Sequence, residues 1–335
     1  MDGHINSEYG KMGSGVVRYL PNPLLGVIDR TYAGDQVKDH MPSSKEAPIL
    51  ASLAEAVALG AEVLILGIAP SGGRIPEEWN PVIEEALHAG MSIVNGLHDL
   101  LSPRWASFIK DPKKQWIWDV RVPQFIPQIA SGKAAELSNK RVLFIGTDMA
   151  VGKMTAGLEL YAHYLKNQTA VGFVATGQIG ITITGKGIPL DAFKVDHACG
   201  AVEQAVLEQK EKALVLVEGQ GSLLHPGSTA TLPLMRGSCP THLILCLRAD
   251  KAFLRSPDHI RIPDLKQFIT LNERLCTVEG TYPQAKVVAV AANTSTLSET
   301  EAENYIAQLE QQIQLPVTDP VRYGVQKLVD AIGAL

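Results

Sequence analysis

Apolar residues in this chain fall into two kinds of pattern that take turns. Short continuous runs occupy 25–28, 63–68 and 91–94. Between them, 49–59 and 77–89 carry apolar residues at helical spacing, closed by Gly60 and Gly90. A glycine just past the last periodic residue suits the left-handed position that ends a helix. The 63–68 run has no polar alternation, which predicts a strand covered on both faces. Strand, helix and strand in alternation predict a small parallel sheet.

The pattern breaks over 123–140, where Pro123, Pro127, Ser131 and Gly132 stand among polar residues, and it resumes sharply at Arg141. The second series predicts strands at 142–145, 170–175, 213–217, 242–247 and 286–291. Helices are expected at 154–165, 201–209, 265–275 and 299–312. No internal repeat or low-complexity tract interrupts it. The organisation expected is therefore two α/β domains, 21–135 and 136–335. They are preceded by a Gly-rich, polar segment 1–20 read as a flexible or partner-contacting arm.

Composition narrows the function classes. With 335 residues the chain exceeds what one core usually supports. Thirty basic against thirty-five acidic residues, net charge -5, argue against a protein that coats nucleic acid, and 6% aromatics argue against stacking platforms. No apolar run approaches the roughly 18–20 residues of a membrane span. The polar first twenty residues, with Asp2, His4, Asn6, Glu8 and Lys11, lack the apolar core of a signal peptide. Cys199, Cys239, Cys246 and Cys276 show no C-x-x-C spacing, so reduced thiols in a cytoplasmic protein are expected, and no metal site. The partner expected is a small molecule, without nucleic acid or membrane. A homo-oligomer of unspecified order is expected because closed assemblies are common among soluble enzymes.

One segment concentrates the chemistry. An apolar strand runs into Gly146-Thr147-Asp148-Met149-Ala150-Val151-Gly152-Lys153-Met154-Thr155 and then into a helix. That context suits a phosphate-binding loop: successive backbone N–H groups turn inward, the helix offers its positive end, and Lys153 adds a point charge. The first glycine lies six positions before Gly152, one more than in the common G-x-x-x-x-G-K-[ST] form. Met154 stands where a hydroxyl usually holds Mg²⁺, and a thioether is a poor ligand for that hard cation. Thr155 is one residue later and about 100° further round the helix. The loop thus predicts binding of a pyrophosphate or phosphate and makes Mg²⁺-dependent ATP cleavage a poorer fit.

Other strand ends add candidates. The run 214–217 delivers Glu218, followed by Gly219, Gln220 and Gly221, to the carboxyl end where open α/β sheets bind ligands. Glu218 is a candidate base, metal-associated carboxylate or substrate contact; the alternative is a turn cap. His225 is a candidate catalytic neighbour. Thr176, Gly177 and Gln178 end another strand and suit a ligand loop. Asp196 and His197 precede a helix, where an Asp would ordinarily cap the N-terminus. Asn293 closes the 286–291 strand; likeness to P-loop proteins of this architecture implies a reader of the adenine edge there, and the alternative is an Asn that starts a loop. Arg74, after Gly72 and Gly73, could hold a substrate carboxylate with its planar fork.

The Gly-Thr-Asp-x-x-Val-Gly-Lys loop resembles that of dethiobiotin synthetase, as does the Val217-Glu218-Gly219-Gln220-Gly221 segment. Together with Gly67-Ile68-Ala69-Pro70-Ser71-Gly72-Gly73, and above all the Gly152-Lys153-Met154-Thr155 ending, the motifs resemble the two-domain DgcN-like D-glutamate N-acetyltransferase family. The resemblance extends from about residue 20 onward. It implies an N-terminal Rossmann-like parallel-sheet domain and a C-terminal P-loop NTPase-like parallel-sheet domain. It also implies acetyl transfer from acetyl-CoA to the amine of D-glutamate. Under that reading Lys153 and the loop amides anchor coenzyme A. Glu218, Asp196 or His225 takes a proton from the acceptor, and Arg74, Gln178 and Gln220 face substrate. The dethiobiotin synthetase likeness keeps an ATP-dependent ligase or kinase open, with Glu218 and Asp196 sharing Mg²⁺. A nucleotide-binding switch without turnover stays open as well.

Overall fold

Wherever the apolar runs predict strands, strands form, and each named strand pairs in parallel with its neighbours. The computed structural model describes residues 1–41, 44–249 and 251–334. The chain divides into a first unit, Met1–Pro123 with Ile181–Pro189, and a second, Gln124–Gly180 with Leu190–Leu335. The break thus falls before the expected 135/136 boundary, and a short internal segment of the second half belongs to the first unit. Among the described residues no helix is long and apolar enough to cross a membrane.

The first unit contains α1 (Lys11–Tyr19), β1 (Val27–Ile28), α2 (Val37–His40), β2 (Ile49–Leu50) and α3 (Leu53–Ala58). It continues with β3 (Val63–Ile65), α4 (Asn80–His88), β4 (Ser92–Asn95), α5 (Ser102–Trp105) and β5 (Ile117–Asp119). Strands β1 and β2 form a two-stranded sheet and β3-β4-β5 a three-stranded one. Its main core packs Ile83, Leu87, Ile93, Leu97 and Leu101.

Three expectations are corrected here. The segment 1–20 is a folded element, not a flexible arm. Ile5 and Met12 are buried, Ile5 N–H donates to Asp29 Oδ2 at 3.1 Å, and Gly13 N–H donates to the Gly67 carbonyl at 2.7 Å. A glycine that reads as flexibility in the sequence is here a point of close helix-to-chain approach. The helix expected over 49–59 begins only at Leu53, because Ser52 accepts the Glu55 N–H as an N-cap and releases Ile49–Leu50 to a strand. The 63–68 run is not a strand covered on both faces. It pairs only over Val63–Ile65, at a sheet edge, with Val63 exposed, and then leaves to meet α1.

The second unit contains β6 (Lys140–Gly146), α6 (Lys153–Lys166), β7 (Val171–Val174), α7 (Gln178–Thr184), α8 (Val195–Leu207) and β8 (Leu214–Val217). After these come α9 (Thr231–Ser238), β9 (His242–Arg248), α10 (Leu265–Thr277), β10 (Lys286–Asn293), α11 (Glu299–Ile313), β11 (Val317–Thr318) and α12 (Gln326–Gly333). The first three residues of α7 lie in this unit and the rest in the first. Sheet order is β11-β10-β9-β6-β8-β7. The chain passes from β6 out to β7, returns to β8 and crosses to β9 on the other side of β6. Strand β6 is therefore the switch point, and the crevice beyond its carboxyl end is where such sheets bind ligands. The loop after β6 lies at that end.

At the opposite end of β6, Arg141 is fully buried. Its Nε donates to the carbonyls of Ser238 and Cys239 at 3.0 and 2.9 Å, and Nη1 to those of Leu137 and Asn139 at 2.9 and 2.7 Å. Arg141→Leu would leave these acceptors short of donors, each worth about 1–3 kcal/mol when buried and unsatisfied. The expected result is a loss of roughly 3 kcal/mol or more, read as a lower urea midpoint with the slope retained.

Candidate functional site

The loop after β6 is wrapped. Thr147 N–H donates to the Cys246 carbonyl of β9 at 3.1 Å, Ala150 has φ 54°, and Gly152 has φ 104° and caps α6. A Cβ at Gly152 would meet nothing, so that glycine answers to backbone conformation. At Gly146 the demand is space: a Cβ there would come within 2.9 Å of Val151 Cγ2 and 3.0 Å of Lys153 Nζ. Lys153 is buried, and its ammonium folds back to the Asp148 carbonyl at 2.8 Å. Among the described residues, the amides of Ala150, Val151, Gly152, Lys153, Met154 and Thr155 find no acceptor. Six consecutive donors at the positive end of a 14-residue helix form a ready anion cradle. Burial pushes the Lys153 ammonium down to about 8, despite Cys246, Asp148 and Glu218 nearby.

Asp148 serves the loop's shape. Its Oδ1 accepts from Met149 N–H at 2.6 Å and its Oδ2 from Arg255 N–H at 2.8 Å, which ties the segment after β9 to the loop. Met149 is exposed at the loop's surface, Val151 is buried, and Met154 and Thr155 are half-buried in the first turn of α6.

Glu218 follows β8, the strand beside β6. Its carboxyl is buried, with Oε2 accepting from Thr176 N–H at 2.8 Å and Gly177 N–H at 3.1 Å. Gln220 Nε2 reaches Oε1 at 3.5 Å. The Lys153 stem lies close by, since a Cβ on Gly219 would come within 2.9 Å of Lys153 Cδ. Burial lifts the Glu218 carboxyl to about 7, against the two amides and Lys153, which favour its charged form. A carboxyl poised near neutrality, with one oxygen held and the other lightly engaged, can accept and return a proton. Gly180, in the first turn of α7, makes room for it: a Cβ there would run into Oε2. Gly180→Ala is expected to displace the carboxyl and cut turnover at least tenfold. Thermal unfolding checks that the variant is folded.

Among the predicted site residues, the structure brings together the loop 146–155, Lys153, Glu218 and Gln220, with Gln178 two residues past Thr176. It does not bring in Asp196. That residue is exposed in the first turn of α8, whose N-cap is Lys194, and shows no hydrogen bond to Lys153 or Glu218. It stabilises the helix by its charge at the positive end. His225 is a brace: Nδ1 accepts from Gly227 N–H at 3.1 Å, so Nε2 carries the proton and donates to the Ser256 carbonyl at 2.5 Å. With both ring nitrogens engaged it has no lone pair for a substrate proton. Asn293 ends β10 in register with Arg248 and uses Oδ1 on Ser295 N–H at 3.0 Å. Arg74 is exposed in the first unit.

Sequence reasoning missed the Thr176 and Gly177 amides as holders of Glu218. It also missed the basic segment after β9, where Arg248, Lys251 and Arg255 line a cavity with the loop. The signal available was Arg248 at a predicted strand's carboxyl end, followed closely by Lys251 and Arg255. Among the described residues no group of three or more His, Cys, Asp or Glu could hold a metal ion.

Residues 30–123 match a family described as a domain of unknown function (DUF1611_N), Rossmann-like domain, and residues 128–329 one described as a domain of unknown function (DUF1611_C), P-loop domain. The chain is 37% identical over 287 residues to a D-glutamate N-acetyltransferase of Tritonibacter scottomollicae, covering 85% of each. It is 36% identical over 281 residues to a D-glutamate N-acetyltransferase of a Pseudoalteromonas species, covering 83% of each. A crystal structure of a DUF1611 family protein from Anabaena variabilis superposes with a TM-score of 0.94 at 41% identity, covering 100% of this chain and 98% of that one.

Proposed function

This chain belongs to the DUF1611 family, and from that premise we propose that it is an N-acetyltransferase acting on the amine of D-glutamate with acetyl-CoA as donor. The names of two relatives support the reaction class and the acceptor. The observation that carries the chemistry is the placement of Glu218 beside Lys153 and the unpartnered loop amides.

In this reading the amides of 150–155 and Lys153 hold the donor's pyrophosphate, work that needs no hydroxyl at position 154. Glu218 takes a proton from the acceptor ammonium through Oε1 while the Thr176 and Gly177 amides keep Oε2 in place. The freed amine attacks the thioester carbonyl. The C–N bond forms, the tetrahedral intermediate gives up one of its two N–H protons, and the C–S bond breaks to release coenzyme A, whose thiolate sulfur takes that proton while the amide keeps the other. Backbone donors stabilise the transient oxyanion.

The test is free-thiol release from acetyl-CoA with D-glutamate or L-glutamate as acceptor, with N-acetylglutamate identified by mass. Thiol release that depends on D-glutamate and needs no nucleotide is expected. Product formed only with ATP and Mg²⁺ would establish the ligase chemistry instead. Nucleotide binding without any product would leave a switch.

A further inference from the structure

The loop strand β6 lies between two strand ends of opposite character. On one side β8 leads into Glu218; on the other β9 ends at Arg248. Beyond β9 the chain walls a cavity of about 470 Å³, lined by Thr147, Asp148 and Val151 of the loop and by Arg248, Lys251 and Arg255 opposite. Its volume falls within the roughly 300–1,000 Å³ of small-molecule sites.

We propose that this cavity is the nucleoside-end subsite of the donor and binds a ribose phosphomonoester, selecting a 3′-phosphorylated adenine nucleotide of the coenzyme A class over its dephosphorylated counterpart. The proposal rests on the loop being the anchor for the donor's pyrophosphate. Neither Arg248 nor Lys251 has a hydrogen bond or ion pair among the described residues, so both charges are available to a ligand. Arg255 is known to be engaged through its backbone N–H on Asp148 Oδ2, and the Asp148 carboxylate has its two oxygens on backbone amides. Phe253, 48% exposed, lines the same cavity and offers a ring face for a base to stack on. Asp258, the other carboxylate lining it, suits a ribose hydroxyl or a base amine as donor.

Charge then orders the ligand across the loop. An anionic nucleoside end favours the Arg248 side and is repelled on the Glu218 side, so the thioester is directed to Glu218. Nothing in the phosphate cradle alone would distinguish the two directions.

The test is calorimetric binding of coenzyme A and 3′-dephospho-coenzyme A to the full chain and to the Arg248→Ala/Lys251→Ala double variant. The wild-type chain is expected to bind coenzyme A at least roughly tenfold more tightly than the dephospho form, about 1.4 kcal/mol. The double variant is expected to bind the two about equally, with affinity for the dephospho form within about threefold of wild type. Equal binding by the wild-type chain, or a preference that survives in the folded double variant, overturns the subsite but leaves the donor reading intact. Binding of neither form by the wild-type chain removes the donor reading and the subsite with it. If the double variant does not fold, the Lys251→Ala single variant takes its place, and an undiminished preference for coenzyme A in it overturns the subsite.

Discussion

Glu218→Gln is expected to lower kcat for acetyl transfer by roughly 10²–10⁴-fold, the range for loss of a positioned general base. Gln keeps the shape and can still accept the Thr176 and Gly177 amides, so the site's geometry survives while its proton acceptor is gone. In the wild-type chain the carboxyl sits at about 7 because burial disfavours its charge. The rate should therefore rise with pH through about 7 and level off above it, and that limb should vanish in the variant. Stability should move the other way. Between the ordinary value of 4.5 and about 7, the folded carboxyl keeps a proton that the unfolded chain has released. Stability then falls as pH rises through this window, and the full cost is present above it. The Gln variant should be the more stable protein at pH 8, by on the order of 3 kcal/mol at most, with the gap closing toward pH 4.5. Melting curves at both ends of the window, beside pH–rate profiles, measure it. A variant retaining more than a tenth of wild-type kcat would show that another group takes the proton.

Lys153→Ala is expected to weaken acetyl-CoA binding by roughly ten- to a hundredfold, from the loss of one charge-assisted contact of about 1.5–3 kcal/mol. The effect should fall on the KM for the donor and spare the KM for the amino acid. Because burial holds the free ammonium down to about 8, donor affinity in the wild-type chain should decline as pH rises past 8 and the charge is lost. The Ala variant should show no such decline. A change under about threefold would mean that the amides of 150–155 bind the phosphates without help from the side chain, or that the donor lies elsewhere.

The pattern of apolar runs and glycines was enough to determine that the second half is a strand-helix series. It also placed a phosphate-binding loop at 146–155 and put Glu218 at the carboxyl end of another strand. Those are local facts: period sets strand or helix, and a Gly-Lys pair between them sets the loop. Tertiary structure decided the rest. The segment 1–20 looked mobile because its glycines are counted alone; Gly13 is instead where α1 touches the chain at Gly67. In the sequence His225 and Asp196 stood beside Glu218 as further acid–base candidates. Only the fold ties up both imidazole nitrogens of the first and leaves the second in water on α8. The reason is that a titratable group's role depends on what desolvates it and what bonds to it, and those partners come from distant sequence. The crossing from β8 to β9 around β6 put a buried carboxylate on one flank of the phosphate loop and a basic cavity on the other. Strand order, which no local pattern encodes, sets that polarity.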